Sequence, residues 1–156
     1  MAFGAPDAGI IASMGNPDTP AAPAAALSGK VLYIEDQGTN REIVGALLAR
    51  YPGITYLTAE TGTEGIRMVR DERPDWVLLD MHLPDMSGLS VVRELNQDIA
   101  ERGLRITILT ADQLSMDILK AMSLGAFEHW VKPFDFAVFE AGLRRALLAR
   151  PGQPPR

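Results

Sequence analysis

The chain contains no cysteine, which excludes disulfides, thiolate metal sites and cysteine nucleophiles. It has no basic run longer than a pair, and its formal net charge is -5. Contact with a phosphate backbone wants a basic stripe, so no direct binding of nucleic acid is expected. No apolar run approaches the roughly 18 residues of a membrane span. No Lys or Arg precedes Lys30, so the start of the chain lacks the charged opening of a secretory signal. These absences leave a cytoplasmic protein without membrane segments as the expectation. What is present fits an ordinary globular domain: 47% hydrophobic and 22% charged residues in 156, a length suited to one core with short tails.

Residues 1–29 are rich in Ala, Pro and Gly, and Asp7 and Asp18 are their only charged side chains. Such a segment cannot bury enough apolar surface to offset its ordering entropy and reads as a disordered tail. The short apolar run at 9–14 is long enough only for one or two docked helical turns. Residues 151–156, with three prolines, cannot continue a helix and read as a loose end. The folded domain is expected over residues 30–150, with no stretch left over for an attached output domain.

Within that span five short apolar runs appear, at 31–34, 54–57, 76–79, 106–109 and 127–131. The first four are nearly continuous rather than alternating, as strands covered on both faces are. Helical spacing fills the gaps. Ile43, Val44, Leu47, Leu48 and Tyr51 form a stripe that Pro52-Gly53 stops. Ile66 and Val69 begin a second; Val91, Val92, Leu95 and Ile99 form a third. Leu114, Ile118, Ala121 and Met122 make the next, and Phe136, Phe139, Leu143, Ala146 and Leu147 the last. Strand and helix alternate, which predicts a doubly wound α/β fold: a parallel sheet, helices on both faces and right-handed crossovers.

Open sheets of this kind bind ligands beyond the carboxyl ends of their strands. Glu35 and Asp36 follow the first run, Asp80 ends the third, Thr110 the fourth, and Lys132 stands before Pro133 after the fifth. Taken singly, Asp36 reads as a helix cap and Asp80 as a turn acceptor. If the first and third strands are neighbours, however, three carboxylates converge, and each pair repels by about 1 to 4 kcal/mol at roughly 4 Å. A hard divalent cation resolves that conflict, and an oxygen shell that keeps several waters suits Mg2+. An aspartate so placed can attack a phosphoryl group, with the Lys132 ammonium and the Thr110 hydroxyl to hold the transferred oxygens.

Glu35-Asp36, Asp80 within Leu78-Leu79-Asp80-Met81-His82-Leu83-Pro84-Asp85-Met86-Ser87-Gly88, Thr110-Ala111 and Lys132-Pro133-Phe134 together resemble the receiver domain of two-component response regulators, from about residue 30 to about residue 150. The resemblance implies a five-stranded, flavodoxin-like sheet in the order 2-1-3-4-5. It implies that Asp80 takes a phosphoryl group from a phosphohistidine on a histidine kinase or histidine phosphotransfer protein. Mg2+ would be held by Glu35, Asp36, Asp80 and the backbone carbonyl of His82, and the phosphoryl group would be met by Thr110, Ala111 and Lys132. Such a domain catalyses only its own phosphorylation and dephosphorylation, with His82 and Asp112 tuning the latter. It signals by conformational change or onward transfer, commonly through a surface that here spans about residues 113–148, and a weak homodimer is compatible with it. Receivers often carry Tyr or Phe three residues before the lysine, as an aromatic switch paired with the threonine; here that position is His129.

Two other classes share part of this pattern. Dehalogenase-like phosphatases need a second acid two residues past the nucleophile, where this chain has His82. A flavodoxin-like nucleotide or flavin module needs a Gly/Ser/Thr-rich phosphate loop, and Gln37-Gly38-Thr39-Asn40 is poor in glycine and lies in acidic surroundings.

Overall fold

The structure, a computed structural model, describes residues 27–111 and 114–148. The expected tail up to residue 26, its apolar run at 9–14, the expected loose end at 151–156, Asp112 and Gln113 lie outside the described residues. Five strands form one sheet: β1 (Ser28–Ile34), β2 (Gly53–Ala59), β3 (Trp76–Asp80), β4 (Arg105–Thr110) and β5 (Glu128–Val131). Their order is β2-β1-β3-β4-β5, and every neighbouring pair is parallel. Among the described residues the crossovers hold α1 (Gly38–Leu48), α2 (Gly62–Glu72), α3 (Gly88–Glu94), α4 (Asn96–Arg102) and α5 (Met116–Ser123), and α6 (Phe136–Leu148) follows β5. This is the expected doubly wound fold in the expected strand order.

The continuous apolar runs have the cause assigned to them where the strand is central. Every residue of β3 is buried, as is β4 from Ile106 onward, because helices cover both sides. One face packs Ile34, Leu79 and Ile108 against Ile66, Val69, Val91, Val92 and Ile118 of α2, α3 and α5. The other packs Tyr33, Leu78 and Leu109 against Val44, Leu48, Phe139, Leu143 and Leu147 of α1 and α6. Trp76 joins the second core, and its indole N–H donates to the buried Thr107 hydroxyl at 2.9 Å, so neither polar group is left unpaired. β2 is an edge strand and is mostly half-buried or exposed.

Four details depart from the pattern reading. β1 starts at Ser28, and Leu27 before it is fully buried, so ordered structure reaches into the segment expected as tail. Ser28 and Gly29 pair with Gly53 and Ile54 through backbone groups, which apolar periodicity cannot reveal. Ile43 is 55% exposed, because it sits one position off the buried Val44–Leu48 face of α1. Leu114 is 59% exposed, since α5 is capped by the Ser115 hydroxyl and starts only after it. The Val91–Ile99 stripe is divided into α3 and α4 at Leu95, whose φ of -96 and ψ of 9 are not helical. Nothing in the local sequence marks that break.

α6 crosses β5 at Gly142, where a Cβ would overlap the Trp130 ring. That indole is wedged among Trp76, Phe134 and Phe139 and has little room to yield. Gly142→Ala gains about 1 kcal/mol of helix propensity but forces core strain, and the expected net result is destabilisation by about 1 to 2 kcal/mol. Urea unfolding of the variant against the parent checks this.

Candidate functional site

The strand pairing decides which polar residues meet. Ile34 stands opposite Leu79, so Glu35 and Asp80, each one residue farther on, emerge side by side. β4 flanks β3 on the other side, with Asp80 opposite Leu109, and Thr110 lies opposite Val131 at the end of β5. The Lys132 N–H continues that ladder onto the Thr110 carbonyl at 2.7 Å, and the Lys132-Pro133 bond is cis. Glu35, Asp80 and Thr110 are buried (1%, 6% and 1% exposed), whereas Asp36 faces solvent.

Glu35, Asp36 and Asp80 bring their carboxylate oxygens within 4.8 Å of one another. The Lys132 ammonium lies 3.3 Å from Glu35 Oε1 and 3.3 Å from Asp80 Oδ1, bridging the two buried acids. The acids are not equivalent. Burial acts to raise the Glu35 carboxyl, but the Lys132 charge and hydrogen bonds from Asn40, Tyr33 and the Gln37 N–H outweigh it and hold Glu35 below the usual carboxylate range. For Asp80 burial prevails. With the Glu35 charge beside it, the carboxyl is held above its ordinary value in spite of Lys132 and the His82 N–H. Two buried acids and the exposed Asp36 thus share one ammonium. A donor set of carboxylate oxygens around a local excess of negative charge is what a hard divalent cation fits.

The residues foreseen at the strand ends therefore gather at one edge. The others are more dispersed. His82 is exposed at the start of the β3–α3 loop and forms an isolated antiparallel bridge with Ser87. A cleft of about 310 Å³ opens there, and its lining includes His82, Ser87, Thr110, Met116 and Asp117. Ala111 is exposed just past Thr110. His129 lies within β5 opposite Ile108, half-buried.

Four residues at or beside the site were not foreseen. The Tyr33 hydroxyl donates to Glu35 Oε1 at 2.9 Å and the Asn40 amide to the same oxygen at 3.0 Å. Burial first, and then the Glu35 charge, push the Tyr33 phenol far above its ordinary value, so it stays a donor. Arg41 donates to the Glu35 carbonyl at 2.8 Å and its guanidinium lies 3.6 Å from Glu60. Asp85, in the β3–α3 loop, accepts from the Gly62 N–H at 2.8 Å, the Thr63 N–H at 2.9 Å and the Thr63 hydroxyl at 2.7 Å, tying the loop to the start of α2. The signal for Tyr33 was its spacing: in extended chain, residues two apart share a face.

Residues 31–144 match the response regulator receiver domain, and the chain belongs to that family, whose members are phospho-acceptor signalling domains. It is 39% identical over 123 residues to the probable transcriptional regulatory protein TcrX of Mycobacterium tuberculosis, covering 78% of this chain and 50% of TcrX. It is 30% identical over 122 residues to sporulation initiation phosphotransferase F of Bacillus subtilis, covering 78% of this chain and 95% of that protein. Among solved structures it resembles the receiver domain of the Pseudomonas aeruginosa sensor histidine kinase PA1611, which has a magnesium ion coordinated in its active-site cleft. That match has a TM-score of 0.67 and 28% identity, over 77% of this chain and 98% of the other. The chain spans about half the length of TcrX and of the MtrA regulators that it also matches, at 50% and 53 to 54%. Among the described residues no helix is long and apolar enough to cross a membrane.

Proposed function

We propose that Asp80 is the phospho-acceptor of a phosphorelay, taking its phosphoryl group from a phosphohistidine on a histidine kinase or phosphotransfer protein. The observation that carries this reading is the setting of Asp80: a buried carboxylate at a strand end, beside a second buried acid, with one ammonium 3.3 Å from both. An Asp80 oxygen attacks phosphorus; an O–P bond forms, the N–P bond of the donor breaks, and the imidazole leaves with the electron pair and takes up a proton. Mg2+ is the cation proposed for the site, held by Glu35, Asp36, Asp80 and the His82 carbonyl, and when bound it offsets charge on the phosphoryl oxygens. Lys132 supplies an ammonium to one of those oxygens, and the Thr110 hydroxyl and the Ala111 N–H supply donors to others.

Return of the group to water is the only other chemistry proposed, with His82 and Asp112 setting its rate. The switch pairs Thr110 with His129 in place of the usual aromatic ring. Output runs through the surface of α5, β5 and α6, where Leu114, Met116, Leu119, Val131 and Val138 are exposed apolar groups suited to a protein partner or a weak homodimer. The net charge of -5 favours a protein there over nucleic acid, and a cytoplasmic setting follows from the kinase partner.

Incubation with a small acyl phosphate donor tests the reading. Mg2+ should support stoichiometric phosphorylation, and chelation of divalent cations should slow it about 100-fold or more. Equal rates with and without chelator would contradict it.

A further inference from the structure

The first turn of a helix leaves N–H groups without intrahelical partners. At the start of α2 the Thr61 hydroxyl meets one of them, accepting from the Glu64 N–H at 3.0 Å. The N–H groups of Gly62 and Thr63 are met from outside, by the Asp85 carboxylate at 2.8 and 2.9 Å, and the Thr63 hydroxyl adds a third donor at 2.7 Å. The β3–α3 loop also packs directly on this helix end, since a Cβ at Gly62 would overlap Met86 Cγ and Sδ. At its base the loop closes on itself: the Gly88 N–H donates to the Met81 carbonyl at 2.8 Å, and His82 bridges to Ser87. The loop leaves β3 at Asp80, and the His82 N–H donates to the Asp80 carboxylate. The last torsion of an aspartate is broad, with no sharp well of its own, so the donors around the carboxylate set its plane. Only Leu83 and Pro84 separate His82 from Asp85. The proline ring fixes one backbone torsion and restricts Leu83 before it, while Leu83 packs on the core. Little slack is left between the fastened tip of the loop and the His82 N–H.

We infer that Asp85 is a positioning residue for the acceptor: by fastening the loop tip to α2 it keeps the His82 N–H on the Asp80 carboxylate, and so orients the oxygen that attacks phosphorus. The inference rests on Asp80 being the phospho-acceptor. Asp85 itself is exposed on the α2 side of the loop and takes no part in the transfer. The end of β2, which brings no group of its own to the chemistry, thereby gains a use: the turn after it is the fixed point to which the acceptor loop is tied.

Initial rates of phosphorylation of the full chain by a small acyl phosphate, at saturating Mg2+ and varied donor, test this for the parent, Asp85→Ala and Thr61→Ala. Thr61→Ala is the control for helix stability: it removes a cap from the same end of α2 but leaves the bonds from Gly62 and Thr63 to the loop. Asp85→Ala should lower the maximal rate about 10-fold or more with the half-saturating donor concentration little changed. Hydrogen exchange at the His82 amide, read by NMR, should quicken in the same variant. Thr61→Ala should leave both close to the parent. Asp85→Asn keeps one acceptor for the helix N–H groups and serves should the alanine variant fold poorly, with a smaller slowing in the same direction. An unchanged maximal rate in the Asp85 variants, or an equal slowing in Thr61→Ala, would overturn the positioning role while leaving Asp80 as the acceptor. A parent chain that takes up no phosphoryl group would overturn the acceptor reading and this inference together.

Discussion

Asp80→Asn is expected to abolish phosphoryl acceptance while leaving the fold intact. The amide has the shape of the carboxylate, so the end of β3 and its packing are undisturbed, but it lacks the anionic oxygen that attacks phosphorus. The same substitution has a stability signature. The Asp80 carboxyl is raised by burial and by Glu35, so the folded state binds its proton more tightly than the unfolded state does. Without divalent cations, stability is therefore lost as pH rises from the ordinary carboxylate value towards the raised one. Asparagine carries no such cost, and Lys132 keeps Glu35 as its partner at 3.3 Å. At neutral pH the cation-free variant should melt above the parent, and the gap should close below about pH 4, where both side chains are neutral. Thermal melts across pH in chelator measure it.

Lys132→Ala should have the second largest effect, and on two properties at once. The ammonium stands between two buried acids, 3.3 Å from each, and removing it leaves them facing one another. Breaking a fully buried pair costs about 3 to 5 kcal/mol. Lys132 keeps 23% of its side-chain surface exposed, and with that screening about 2 kcal/mol is expected at neutral pH without Mg2+. The depression of Glu35 depends on Lys132, so part of the loss should return as pH falls and the acids protonate. Phosphorylation should slow about 100-fold, as when one preorganised donor is removed from an active site. Mg2+ should stabilise the variant more than the parent, because the lysine and the cation compete for the same carboxylates. Urea unfolding with and without Mg2+, alongside phosphorylation rates, reads both effects.

Much of the site was legible because its chemistry lies where apolar runs stop. Glu35, Asp80, Thr110 and Lys132 each stand at or just past the carboxyl end of a strand, and a parallel sheet aligns those ends without further information. The hydrogen bonds from Tyr33 and Asn40 to Glu35 were hidden for the opposite reason. Tyr33 counts as an apolar strand residue and Asn40 as a polar helix residue, and only the turn between β1 and α1 brings both to one oxygen. Asp85 was visible as part of a motif, but its bonds to Gly62 and Thr63 cross 23 and 22 residues of chain, a relation that local spacing does not carry. The start of β1 was missed because backbone pairing at Ser28 and Gly29 leaves no side-chain pattern. The Val44 face of α1 was legible while Ile43 was not, since periodicity defines the centre of a buried stripe better than its border.

Borohydride reduction of the phosphorylated chain, followed by peptide mass spectrometry, tests the central claim most directly. An acyl phosphate on an aspartate is reduced to homoserine, whereas phosphate on a serine, threonine, tyrosine or histidine is not. Homoserine is expected at position 80, formed only after phosphorylation in the presence of Mg2+. Homoserine at another aspartate, or a phosphoryl group that survives reduction on a different residue, would contradict it.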